Sequence, residues 1–111
     1  MPHYLTELYS PKPAWLALSL AERQSYFASI AEGMGALSAL GVEPIAFGET
    51  EPSIHPAPQQ FFSVWRLPDA EAQAALLSGI AATGWHDYFD TVNAAGKGVD
   101  FPAHLTQLTG V

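Results

Sequence analysis

The chain has 111 residues, 49% of them hydrophobic and 14% charged, with four Lys and Arg against eleven Asp and Glu for a formal net charge of −7, and no cysteine. Lys12, Arg23, Arg66 and Lys97 are too few to build a patch that tracks phosphates, which argues against nucleic acid and anionic membrane as partners; the missing cysteines remove disulfides, thiol nucleophiles and thiolate metal sites together. At this length one domain spanning 1–111 with a modest core is expected, so a sizeable pocket should need a second subunit.

The N-terminus lacks a basic stretch followed by an apolar run, and no segment approaches the roughly 20 apolar residues needed to cross a bilayer, so a cytoplasmic protein is expected. His3 to Ser10 carries Tyr, Leu, Thr, Leu and Tyr and stops at Pro11-Lys-Pro13, which reads as a strand. Ser19-Leu-Ala-Glu22 has the spacing of a capping box, in which the serine hydroxyl takes a free amide of the first turn while the glutamate reaches back. A helix therefore starts at Leu20. Leu20, Phe27, Ile30, Met34 and Leu37 draw one apolar stripe along it, and Gly41 closes it. Gly33 and Gly35 inside that helix imply either close packing against them or a bend.

Val42 to Thr50 reads as a second strand, placed at a sheet edge by Pro44, which has no amide to donate. Three prolines between Glu51 and Gln60 make an extended connection, and Phe61-Phe-Ser-Val-Trp-Arg66 is the clearest strand. Asp69 caps a second helix with Leu76, Leu77 and Ile80 inward, ending at Gly84. Trp85 to Asn93 is aromatic and β-branched enough for a fourth strand, Ala94 to Gly98 reads as a loop, and Asp100 caps a short helix from Phe101 to about Leu108. The order is β-α-β-β-α-β, an α+β ferredoxin-like antiparallel sheet with both helices on one face.

A sheet with helices on one side and water on the other should alternate apolar and polar residues. The third strand does not, with Phe61 and Trp65 on one face and Phe62 and Val64 on the other; the first strand is similar. Something beyond the monomer should cover the second face, most simply the same surface of a second copy in a twofold homodimer. The competing reading is a shallow exposed aromatic groove.

The segments Tyr4-Leu-Thr-Glu-Leu-Tyr-Ser-Pro-Lys-Pro-Ala-Trp15, Phe61-Phe-Ser-Val-Trp-Arg66 and Gly84-Trp-His-Asp-Tyr-Phe-Asp-Thr-Val-Asn-Ala-Ala-Gly96 resemble those of a family of short bacterial proteins without an assigned function. More loosely, the chain is similar to the dimeric α/β-barrel superfamily, in which two ferredoxin-like protomers pack their sheets into a barrel. That superfamily holds cofactor-free monooxygenases, lactone isomerases, polyketide cyclases, haem enzymes and proteins with no known activity. The resemblance implies an assembly and a small-molecule pocket, not a reaction.

The densest polar and aromatic cluster is Trp85-His-Asp-Tyr-Phe-Asp90. As a strand it puts His86, Tyr88 and Asp90 on one face, toward His3, Tyr4 or Glu7 depending on register. A histidine beside a carboxylate and a tyrosine is a usable acid–base set, because imidazole titrates near neutrality. His86, Glu7 and Asp87 are therefore the candidate catalytic groups, against the plainer reading that His86 and Asp87 only satisfy local hydrogen bonds. Glu7 and Arg66 sit in neighbouring central strands, where a buried charge needs a partner. They either form a salt bridge or share a ligand, with Arg66 orienting a carboxylate or enolate and Glu7 acting as base.

Tyr4, Trp65, Arg66, Trp85 and Tyr88 are the candidate ligand-binding residues, since aromatic walls suit a planar organic molecule. His3, His55, His86 and His104 lack metal-ligand spacing, no haem-attachment motif exists, and the serines and glycines fit neither a nucleophile elbow nor a dinucleotide loop. The sequence thus predicts a homodimer whose sheet face forms a small apolar pocket for an aromatic or oxo-acid-like metabolite, either a binding protein or an enzyme of cofactor-independent proton transfer or oxygenation. The alternative is a dimeric structural or interaction protein without catalysis.

Overall fold

Strand β1 (His3–Pro11) is followed by a short helix α1 (Pro13–Leu16), the long helix α2 (Leu20–Ala39), strands β2 (Glu43–Glu49) and β3 (Phe61–Leu67), helix α3 (Ala70–Ala82), a single-turn helix α4 (Trp85–Tyr88), strand β4 (Phe89–Lys97) and helix α5 (Phe101–Thr109). The structure, a computed structural model, describes residues 2–111. The four strands form one antiparallel sheet in the order β2-β3-β1-β4, with β2 at the edge where Pro44 puts it and a register shift between Pro44 and Ala46.

The helix starts follow from their caps. Glu22 donates its amide to Ser19 Oγ at 3.1 Å while Glu22 Oε1 accepts the Ser19 amide at 3.0 Å, so the capping box is complete. Asp69 Oδ1 accepts the Ala72 amide at 2.8 Å and Asp100 Oδ1 the Ala103 amide at 2.9 Å, starting α3 and α5 in the same way. Gly41 closes α2 with φ of +85°, and a Cβ there would also lie 2.9 Å from the Pro68 ring. Glycine is required on both counts. At Gly33 and Gly35 a Cβ would meet nothing within 4 Å, so close packing does not account for either.

The fourth strand begins later and runs further than the sequence predicts. Trp85–Tyr88 is a helical turn launched from Gly84 at φ of +82°, and Ala94 to Lys97 is strand rather than loop. The ladder supplies the reason: β1 pairs with β4 from His3 opposite Lys97 to Pro11 opposite Phe89, so all of β1 is matched and the small residues Ala94 to Gly96 are carried by their partner. Trp85–Tyr88 lies past the end of that ladder. The Lys12 amide donates to the Tyr88 carbonyl at 2.7 Å just beyond it. His86, Tyr88 and Asp90 therefore do not share a strand face, and the residues opposite His3, Tyr4 and Glu7 are Lys97, Gly96 and Asn93.

Register also sorts the two sheet faces. Leu5, Trp65 and Leu67 point to the helix side, where with Val42, Ala72 and Leu76 they form the core. Tyr4, Thr6, Leu8, Phe62, Val64, Arg66 and Val92 point the other way. Among the described residues no helix packs on that second face, and every residue of α5 is exposed.

Candidate functional site

Helix α2 has an apolar stripe but not one buried residue. It meets the core only along Met34 and Leu37, which are partly buried against it. The rest of its stripe stands off the sheet, and the gap beneath is a cleft of about 910 Å3. Its floor is Glu7, Tyr9, Ser63 and Trp65 from the two central strands; Arg23, Phe27, Ile30, Met34 and Leu37 of α2 make one wall and Leu76 and Ile80 of α3 the other; Trp15, Trp85 and Phe89 close one end, with Phe47 on the β2 side. A sizeable pocket thus arises from one chain, without a second subunit, and on the helix side of the sheet rather than on the face expected to meet a partner. It exists because α2 is underpacked, not because the chain is large.

Rings gather at the floor and the ends of the cleft. Trp85 stacks on Phe89 with centroids 4.1 Å apart, Tyr9 meets Trp85 edge-on at 5.1 Å, and Phe47 meets Trp65 edge-on at 5.2 Å. The Trp85 indole N–H is spent on Thr91 Oγ1 at 3.0 Å, leaving its ring apolar toward the cleft.

Glu7 is the polar centre of this floor. It is only 4% exposed. Ser63 Oγ donates to Glu7 Oε1 at 3.3 Å, and Trp65 Nε1 donates to Ser63 Oγ at the same distance. Glu7 Oε2 is buried with no hydrogen-bond partner. Burial raises the Glu7 pKa above the ordinary glutamate value, and the opposing pull of Ser63, Trp65 and the charge of His86 is smaller. Burial and the nearby Glu7 charge raise the Tyr9 phenol in turn. A carboxyl so placed holds a proton to higher pH than a surface glutamate, and can either donate a hydrogen bond into the cleft or take a proton from what lies there.

Glu7, Trp65 and Trp85 are the sequence-selected residues that the fold brings to this cleft. His86 and Asp87 are exposed on α4, outside it. Tyr88 packs against Trp15 and Tyr26 and lines a separate shallow surface cleft with Leu18, Ala21 and Ser25. Tyr4 and Arg66 face each other across β1 and β3 on the helix-free side. Glu7 pairs with Ser63 while Arg66 pairs with Tyr4, so Glu7 and Arg66 lie on opposite faces; they make no salt bridge and cannot grip one ligand. Among the described residues no three His, Asp or Glu side chains gather to hold a metal.

Sequence reasoning missed Tyr9, Phe47 and above all Arg23. Arg23, Phe27, Ile30, Met34 and Leu37 follow one another at intervals of four and three, so the arginine occupies a position on the apolar stripe itself. That placement was a readable sign that the stripe is not simply core.

A family profile matches residues 2–111 of this chain. The chain belongs to DUF6616, a family of unknown function. No curated protein matches it. Among solved structures, this DUF6616 chain is similar to a chlorite-dismutase-like protein at 15% identity and a TM-score of 0.62, covering 90% of its own length but 44% of the other chain. It is similar to a dabb family protein with a ferredoxin-like fold from Mesorhizobium loti, at 15% identity and a TM-score of 0.54, covering 89% and 98% of the two chains. It is also similar to SnoaB, a cofactor-independent oxygenase from Streptomyces nogalater, at 10% identity and a TM-score of 0.50, covering 89% and 94%. The chain thus spans less than half the length of the first of these. At such identities the likeness shows the ferredoxin-like fold, and chemistry has to come from the site.

Proposed function

We propose that the protein binds a small, planar, largely apolar molecule in the cleft under α2 and moves a proton on it without a bound cofactor, with Glu7 as the acid–base group. The observation that carries this reading is Glu7 Oε2, buried and unpartnered on the floor of a largely apolar cleft. An unsatisfied carboxyl oxygen there costs stability; it is sealed from solvent, and a turn of the side chain toward the cleft lets a ligand hydroxyl or carbonyl satisfy it. As carboxylate, Glu7 takes a proton from an acidic O–H or C–H beside a ring carbonyl, leaving a delocalised anion. Where dioxygen is the co-reactant, that anion is the entrance to cofactor-independent oxygenation, the activity named for SnoaB. Trp65 on the floor, Phe47 beside it and Trp85 at the end of the cleft offer the ring system apolar contact.

A homodimer is part of the same proposal. The helix-free face offers Leu8, Phe62, Val64 and Val92, and α5 carries Phe101, Leu105 and Leu108 outward, 72%, 46% and 56% exposed. A second copy would cover both.

Tetralone, a bicyclic aromatic ketone with exchangeable α-hydrogens, tests the catalytic reading. It is expected to raise the melting temperature of the wild type, and in heavy water its α-carbon should take up deuterium faster with wild type than with Glu7→Gln. Binding without any difference in exchange would overturn Glu7 as the proton-transfer group; no melting shift with tetralone or its planar analogue naphthol would overturn the ligand site itself.

A further inference from the structure

Arg23 stands in the second turn of α2 and lines the cleft. Its guanidinium carbon lies 5.5 Å from the centroid of the Trp15 ring, itself buried, and Nη2 donates to the Leu16 carbonyl at 3.2 Å. These contacts fix the group in place without neutralising it. Nε is buried and has no hydrogen-bond partner. Among the described residues the one salt bridge joins Lys12 to Asp90, and the acid next to Arg23 in sequence, Glu22, is committed to the Ser19 cap. Arg66 and Lys97 also lack a carboxylate partner, but Arg66 faces the helix-free side and neither lines the cleft, so Arg23 is the unpaired cation that the fold sets there.

We infer that Arg23 is the anion anchor of the cleft, and that the ligand is an acid: a planar apolar body ending in a carboxylate. This rests on the reading of the cleft as a ligand site and narrows the class of molecule it takes. Nothing else lining the cleft carries a positive charge. The apolar walls accept the ring system, Glu7 meets a neutral polar group of it, and Arg23 supplies the one full charge that can pair with an anion, with a planar fork suited to a carboxylate. Held between an indole face and a backbone carbonyl, the guanidinium is already oriented, so little side-chain freedom is lost when the ligand arrives.

Calorimetric titration with naphthoate and with its uncharged methyl ester separates this inference from the one beneath it. Naphthoate is expected to bind the wild type about tenfold more tightly than the ester, in keeping with a charge-assisted hydrogen bond in a partly solvated site. Arg23→Gln should bring naphthoate down to the level of the ester and leave ester binding where it was, while Arg23→Lys should keep part of the preference. Equal affinities of the wild type for the two probes would overturn the anion anchor and leave the apolar cleft standing. A loss of both probes by Arg23→Gln, with Arg23→Lys no better, would mark Arg23 as a prop of α2 rather than a binding group. Failure of the ester and naphthoate alike to bind the wild type would remove the ligand site and the anchor together.

Discussion

Glu7 links stability to pH with a sign set by its burial. Its carboxyl pKa is raised in the folded state, so the native protein holds that proton to higher pH than the unfolded chain does. The folded state is therefore penalised progressively as pH rises from the ordinary value of 4.5 through the raised one, and the penalty stays constant above. Glu7→Gln, which keeps the shape and an acceptor for Ser63, removes the ionisation. Its melting temperature should exceed that of the wild type at pH 8, and the difference should shrink toward pH 4; a difference independent of pH would show that Glu7 does not titrate in this window. Glu22 works the other way. Its pKa is lowered by the Ser19 amide and hydroxyl, so its contribution to the cap is present at neutral pH and fades as pH falls through the lowered value. How much of the site was legible depends on the residue. The odd-numbered run of β1 already placed Glu7 among Leu5 and Tyr9, and an antiparallel partner with Trp65 opposite Leu5 fixes Ser63 opposite Glu7. The pairing of Glu7 with Arg66 ignored that parity, which is why it fails.

At the scale of elements, α2 shows where periodicity stops being informative. Its stripe was readable, as were its cap and its stop at Gly41, yet the same stripe serves equally for packing against a sheet or for facing a gap. Only the distance between helix and sheet distinguishes the two, and no local pattern encodes it. Gly33 lies on the cleft with open space where a Cβ would stand. Gly33→Ala should therefore stabilise the free protein by about 1 kcal/mol through helix propensity alone, read from denaturant unfolding. Gly33→Leu should keep much of that gain while filling the cleft and weakening tetralone binding; unaltered binding would mean that the ligand sits elsewhere. The turn α4 is the converse case. Trp85 to Tyr88 has strand-like composition, but the β1 ladder ends at Pro11, so the turn closes the Asp87 and Phe89 amides on the Gly84 and Trp85 carbonyls while Lys12 takes the His86 and Tyr88 carbonyls.

For the molecule as a whole, the excess of apolar residues divides between two uses. Part lines the cleft, and part lies on the helix-free face and along α5. The composition announced more hydrophobic surface than a small two-layer fold buries, and it could not say that a single chain would spend some of it on a cavity. Because the cleft and the helix-free face are on opposite sides of the sheet, the proposed homodimer would leave each chain with its own complete set of cleft residues. Val64→Lys, in the middle of the free face, should convert a wild type sedimenting at twice the chain mass into one sedimenting at the chain mass, with tetralone still bound. A wild type already at the chain mass would refute the dimer.

Trp15, Trp65 and Trp85 are all the tryptophans the chain has, and all three border the cleft. Every indole of this protein is accordingly placed to sense that space. A shift in the colour of indole emission, or its quenching, at constant far-ultraviolet circular dichroism would report what enters beneath α2, so that the molecule carries its own optical gauge for compounds that lack any label.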